Sequence, residues 1–272
     1  MPLITISASL SSGGAMIGRQ VAEAMNVELY DDVKLQQSVL RLGLKPNDIE
    51  ELDEKAPGFF DYILSSKPQV YLGYMESVIY EVARRGEGVI IGHGSQILLQ
   101  DFDCALHVLV HASMPNRVRN LVQEKQLSPQ AAEKLIHKSD HEKAGFFQFA
   151  FHLDWYDPAL YDLVINPAKI GTESAARLVL AAAGSEHLAA CSINVLETME
   201  RLSMEKKIKA ALLGRQVNLA MLHIEVPEKG KAAVRGFSYS HEEKERILAA
   251  LDNIPGVSHV DADIALLHHD YT

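Results

Sequence analysis

Apolar and polar positions along the chain follow two rhythms. Residues 3–7 form a short apolar run, a Ser/Gly loop follows, and Ile17, Val21 and Ala24 then recur at helical spacing. This predicts a buried strand, a loop and an amphipathic helix over 16–25. With a second short strand at 27–30, such a start favours a parallel sheet covered by helices on both faces. Residues 32–66 read as helices broken near Lys45-Pro46 and Pro57-Gly58, and 70–85 as a longer helix. Further apolar strands are predicted at 88–92, ending in a Gly-His-Gly-Ser turn, at 105–110 and at 162–166. Residues 115–152 between the last two read as mostly helical, and a closing helix runs from Gly171 to about 183.

Beyond Gly184 the pattern changes. A helix over 198–213 precedes two alternating segments, 219–226 and 232–239, joined by Pro227-Glu-Lys-Gly230, which is a hairpin pattern. Ser240 followed three residues on by Glu243 is a capping box opening a helix to 251, and a last strand is predicted at 260–267. The chain therefore divides into a body at 1–184, a linker at 185–195 and an α-β-β-α-β unit at 196–272. No internal repeat interrupts either part.

Length and charge narrow the function. The 272 residues suit one or two domains, and 26 Lys+Arg against 36 Asp+Glu give a net charge of −10. Such acidity argues against a nucleic-acid partner, which needs many phosphate-neutralising cations. It leaves room for a local pocket that takes one small phosphorylated ligand. No segment approaches the roughly 20 apolar residues of a membrane span, and no basic stretch with a long apolar run opens the chain as a signal peptide would. Two distant cysteines, Cys104 and Cys191, suit reduced, inert thiols in a cytosol better than a disulfide scaffold. A cytoplasmic protein is the expectation.

The loop after the first strand carries the most chemistry. Ser11, Ser12, Gly13 and Gly14 would turn several backbone N–H groups toward one point at a helix N-terminus, where the dipole also favours an anion. A full Walker A loop has Lys and then Ser/Thr at its end; here Gly14 and Ala15 stand there. On the loop alone, a tight βα turn of small residues explains the pattern equally well.

More motifs extend the pattern. The chain has Ile6-Ser7 with Ser12-Gly13-Gly14 and Ile17-Gly18, then Tyr30-Asp31, Asp53-Glu54-Lys55-Ala-Pro57 and Val89-Ile-Ile-Gly92-x-Gly94. Residues 127–140, Asp154-Trp155, Pro158 and Tyr161-Asp162-Leu163-x-x-Asn166 continue it. In this order and over about residues 1–184, the set resembles the cytidylate kinase-like family, a branch of the P-loop nucleoside-monophosphate kinases. The resemblance implies an α/β fold with helices on both faces of a parallel sheet. It also implies ATP-dependent phosphoryl transfer to a pyrimidine nucleoside monophosphate or related small acceptor, with Mg²⁺. Ser11, Ser12, Gly13, Gly14 and Ala15 would then cradle donor phosphates, with Asn166 on the adenine side. Asp31, Asp32, Gly92, His93 and Gly94 would face the acceptor, and Arg117, Arg119 and Lys143 would supply catalytic cations. No metal-ligating residue is implied.

Departures from that pattern concern charge. The family places Arg where this chain has Ala8, Ala15, Asp32, His93 and Lys143, and Gly where it has Ser11. Residues 1–186 hold 16 Lys/Arg against 24 Asp/Glu, yet phosphoryl transfer rests on positioning and on cations. A second reading therefore stands beside the kinase: a catalytically degraded, nucleotide-binding regulatory protein. A purely structural partner protein is a third.

Residues 196–272 resemble a BON domain, through Met204-Glu-Lys-Lys-Ile-Lys, Leu222-His-Ile-Glu-Val, Ala233-Val-Arg-Gly-Phe and Ile254-Pro-Gly-Val. Such modules imply binding of a ligand or protein, and a homo-oligomer is compatible with this reading. Elsewhere the bland explanations prevail: His137 and His141 suit a solvated helix face, while Trp155 and the phenylalanines at 146–151 suit packing.

Overall fold

The computed structural model describes residues 2–41, 68–189, 193–252 and 254–267. The expected breaks near Lys45-Pro46 and Pro57-Gly58 and the Asp53–Pro57 motif lie outside these residues. Five parallel strands form the main sheet: β1 (Leu3–Ala8), β2 (Leu29–Tyr30), β3 (Gly88–Ile91), β4 (Ala105–Val110) and β5 (Leu163–Ile165). Their spatial order is β2-β3-β1-β4-β5. β1 is central, with Leu3 in register with Gly88 on one side and Ala105 on the other. Both faces of β1 and β4 are buried, the polar Thr5, Ser7 and His107 included.

Helices cover the two faces. Ile17 and Val21 of α1 (Gly14–Met25) pack one core with Ile4, Ile6 and Val108, and α7 (Gly171–Ala183) adds Val179. Opposite it, Leu35 of α2 (Asp32–Arg41) and Met75 and Ile79 of α3 (Pro68–Ala83) pack with Leu3, Ile90 and Leu109. A single turn, α4 (Ser95–Leu98), follows β3. The stretch expected to be mostly helical is a hairpin, α5 (Met114–Lys125) and α6 (Pro129–Phe151), with Ser128 capping α6 by accepting from Ala131 N–H. Phe146 and Phe147 of α6 bury with Trp155 in the α3-side core, as packing residues.

After a single-turn α8 (Glu186–Ala189) the second unit follows in the expected order: α9 (Ile193–Gly214), β6 (Leu222–Glu228), β7 (Lys231–Ser238), α10 (His241–Leu251) and β8 (His259–Leu266). β6 pairs antiparallel with β7 as the predicted hairpin, and β8 adds parallel to β7. Ile224, Val226, Ala232 and Val234 face its core, while His223, Glu225 and Arg235 face out, the alternation read from the sequence. The capping box forms with one change: Ser240 Oγ accepts from Glu243 N–H, but the Glu243 carboxylate reaches back to the N–H of Tyr239.

α9 belongs to two cores. Met199 and Ala210 pack with Tyr74 and Met75 of the body, while Met204, Ile208 and Leu212 pack with the second sheet. Close approach to α3 depends on Gly73, where a Cβ would lie 2.6 Å from Leu213. Polar contacts flank the seam: Lys206–Glu76 at 2.7 Å, Lys207–Glu81 at 2.5 Å and Ser203 Oγ–Glu81 at 3.1 Å.

Cys104, 1% exposed at the entry to β4, is disulfide-bonded. The expectation of two reduced thiols therefore fails for it; Cys191 lies outside the described residues. No helix among the described residues is long and apolar enough to cross a membrane.

Candidate functional site

At the C-terminal end of β1 the chain must turn sharply, and small residues allow it. Ser9 N–H donates to Val110 O, Ser12 N–H donates to Ser9 O, and Ser12 Oγ donates to Val110 O at 3.0 Å. Gly13 then takes φ +98°, a left-handed value that suits glycine, and α1 starts at Gly14. A Cβ on Gly14 would lie 2.3 Å from the Ala8 Cβ, so only glycine lets the helix begin this close to the strand. The turn runs beside Pro167 of the loop after β5 and Thr172 at the start of α7, both of which approach Gly13. α1 thus begins two residues earlier than apolar spacing suggested, because periodicity cannot register glycines.

The loop lines a cleft of about 440 Å³ that lies between it, the start of α1 and the α5–α6 hairpin. Ser11, Gly13, Gly14 and Ala15 all line it. Arg19, Lys125, Lys138 and Lys143 bring positive charge, opposed by Asp32, Glu124 and Glu142. Glu124 Oε2 accepts from Ser11 Oγ at 3.2 Å, and Glu142 pairs with Lys138 at 3.4 Å. Lys143 is 7% exposed at the floor, where its ammonium donates to Ala8 O at 2.9 Å and sits 4.1 Å over the Trp155 ring.

The two expected arginines differ in placement. Arg117 is 3% exposed; its Nε donates to Leu10 O and its two terminal nitrogens grip both oxygens of Asp140 at 2.7 and 2.8 Å. Arg119 is exposed on α5 and hydrogen-bonds Asn116. Asn166 is exposed and accepts from Ala168 N–H, so it shapes its own loop.

On the β2–β3 side, Asp31 caps α2 by accepting from Lys34 N–H. The neighbouring Asp32 is buried at the cleft and accepts from His93 Nε2 at 2.9 Å, while His93 Nδ1 meets Tyr71 OH at 3.0 Å. Three elements thereby join in one hydrogen-bonded row, with a histidine held at φ +56° between Gly92 and Gly94. Gly92 lines the cleft, whereas Gly94 packs under Phe151, whose ring a Cβ would meet at 2.5 Å. Tyr71 and Asn120 were not legible as site residues. Asn120, one turn beyond Arg117, donates to Ser11 O at 2.9 Å, and that i, i+3 spacing was the signal available.

Behind the loop lie two tyrosines from the segment before β5 and a buried histidine on β4. Tyr156 OH lies 2.6 Å from Ser9 Oγ, and burial raises its pKa. Burial also raises Tyr161, to about 12. His107 is held neutral: burial lowers its pKa, Nε2–H donates to Leu99 O, and Nδ1 accepts from Thr5 Oγ1. No group of three or more His, Cys, Asp or Glu among the described residues is arranged to hold a metal ion. Ala15 offers no hydroxyl, and that of Ser12 is committed to Val110 O, so the loop does not fit a Walker-type Mg²⁺ site. The cradle at Gly13 and Gly14 does fit the close approach of a phosphate chain.

The model of the family described as "Cytidylate kinase-like family" matches residues 3–169. Among solved structures, an uncharacterized protein from Eubacterium ventriosum superposes with a TM-score of 0.55 at 17% identity, covering 68% of this chain and 100% of that one. A deoxyadenosine kinase from M. mycoides with bound dATP gives a TM-score of 0.40 at 12% identity, over 68% of this chain and 100% of that one. A shikimate kinase from Acinetobacter baumannii in complex with shikimate gives 0.39 at 13%, over 68% and 96%. The first likeness shows the fold; the two lower scores add nothing to it. No curated protein matches the chain.

Proposed function

Since the chain belongs to the cytidylate kinase-like family over residues 3–169, we propose that it transfers a phosphoryl group from ATP to a pyrimidine nucleoside monophosphate or a related small acceptor. The observation that carries this reading is the Gly13-Gly14 turn, which brings the first N–H groups of α1 against a cleft beside β1. Unpaired N–H groups and the positive end of a helix are what a phosphate chain requires. Lys143 adds a cation at the floor, and Lys125 and Lys138 add two at the mouth. Asp32, oriented by His93, offers an acceptor to a hydroxyl or amino group on the second substrate. Mg²⁺ would arrive on the nucleotide's own phosphates, since the loop does not fit a site for it. Residues 196–272 act in this reading as a BON-like binding module for a ligand or protein.

A second reading keeps binding and drops transfer. It is favoured by Arg117, whose guanidinium is committed to Asp140 and Leu10. Arginine contacts of the finger type are worth about 10³–10⁵ in rate. Assays with ATP, Mg²⁺ and CMP, dCMP or UMP separate the two. Turnover that collapses in Gly13→Ala supports the kinase. Nucleotide-dependent thermal stabilisation without turnover supports the regulatory protein, and neither response refutes both.

A further inference from the structure

Four consecutive carbonyl oxygens of the phosphate loop are occupied, three of them by side chains from outside it. Ala8 O accepts from Lys143 Nζ at 2.9 Å, Leu10 O from Arg117 Nε at 2.8 Å and Ser11 O from Asn120 Nδ2 at 2.9 Å. Ser9 O accepts from Ser12 N–H within the loop. The N–H groups of Leu10, Ser11, Gly13 and Gly14 make no hydrogen bond among the described residues. All three outside donors come from the α5–α6 hairpin, and the Arg117–Asp140 pair ties its two helices together at the same point. Leu10 packs into the small core of that hairpin with Leu121 and Ile136, which fixes the loop a second time.

We propose that Arg117, Asn120 and Asp140 are positioning residues that hold the loop in its anion-binding shape from outside, with Arg117–Asp140 as the latch between the two helices. A P-loop lysine contacts phosphate from within the loop. Here, where Gly14 stands in its place, the shape is imposed through carbonyls. Arg117 is suited to this because a guanidinium can bond one carbonyl and a carboxylate's two oxygens together, which a lysine ammonium does not reproduce. These bonds use three of its five N–H donors, and at 3% exposure Arg117 lies behind the loop rather than among the residues lining the cleft. The inference rests on the proposed phosphate site, but its first readout does not.

Hydrogen exchange of the two bonded loop amides, Ser9 and Ser12, in the ligand-free full chain tests the latch directly, with tripolyphosphate and CMP titrations as the second readout. Asn120→Ala, Asp140→Asn and Arg117→Lys should each speed exchange at Ser9 and Ser12 while the sheet strands keep theirs. Tripolyphosphate affinity should fall about tenfold for each charged hydrogen bond lost, with CMP affinity unchanged. Asn120 is half-buried and removes no charge, so that variant stays informative if an Arg117 variant fails to fold. Unchanged loop exchange in Asn120→Ala and Asp140→Asn overturns the proposal. So does a loss of tripolyphosphate affinity confined to Arg117→Lys, which would mark direct contact. If the wild-type chain binds no tripolyphosphate, the kinase reading fails, and the exchange comparison still decides whether the latch exists.

Discussion

A single methyl group separates the loop from its neighbour strand. An alanine at Gly14 would place its Cβ 2.3 Å from that of Ala8, inside the contact distance of any two carbons, so β1 and α1 must part. Gly14→Ala should cost about 1–3 kcal/mol, the range of overpacking, and should weaken ATP binding; chemical denaturation and titration of the same variant check both. His107 gives a second residue-scale prediction. Its folded pKa lies below the ordinary 6.5, so the unfolded chain takes up a proton that the folded chain refuses. Its contribution is complete above pH 6.5 and declines as pH falls below that value. His107→Gln should flatten this part of a stability-against-pH curve. At this scale the sequence showed Ser12, Gly13 and Gly14 because small residues cluster there, whereas Tyr71 reaches His93 through space from α3 and no local pattern marks it.

Elements were legible wherever one apolar face met one core. The closing helix was expected from Gly171 to about 183 and lies at Gly171–Ala183. α9 begins five residues before the expected 198, because it is apolar on two sides and its periodicity is blurred by serving two cores. At its seam, burial acts to raise the Glu81 carboxyl, but hydrogen bonds from Arg84 and Lys207 outweigh it and carry its pKa to about 2. A carboxyl depressed from 4.5 stabilises the fold above pH 4.5 and loses that contribution as pH falls toward 2. Lys207→Met should therefore lower the melting temperature at neutral pH and lose less stability than wild type between pH 4.5 and 2. Equal acid sensitivity in both proteins would show that Glu81 is not held by this contact.

For the whole molecule, composition and strand order conveyed a parallel α/β body with a small α+β unit. What they could not convey is that one helix completes both. Removing residues 193–267 strips Met199 and Ala210 from the core around Tyr74 and Met75. A chain ending at 189 should accordingly melt lower than the full chain and expose apolar surface to a dye such as ANS. An unchanged melting temperature would show the body to be self-sufficient. The net charge of −10 acquires a location as well: Glu124 and Glu142 share the cleft with its lysines. The latch supplies loop geometry where the family pattern would supply arginine charge. Calorimetric titration of the full-length chain with ATP tests the account at its centre. Saturable binding of one ATP per chain, weakened by Gly14→Ala, is the expected result; no saturable heat at millimolar ATP, in a chain that melts cooperatively, would contradict it.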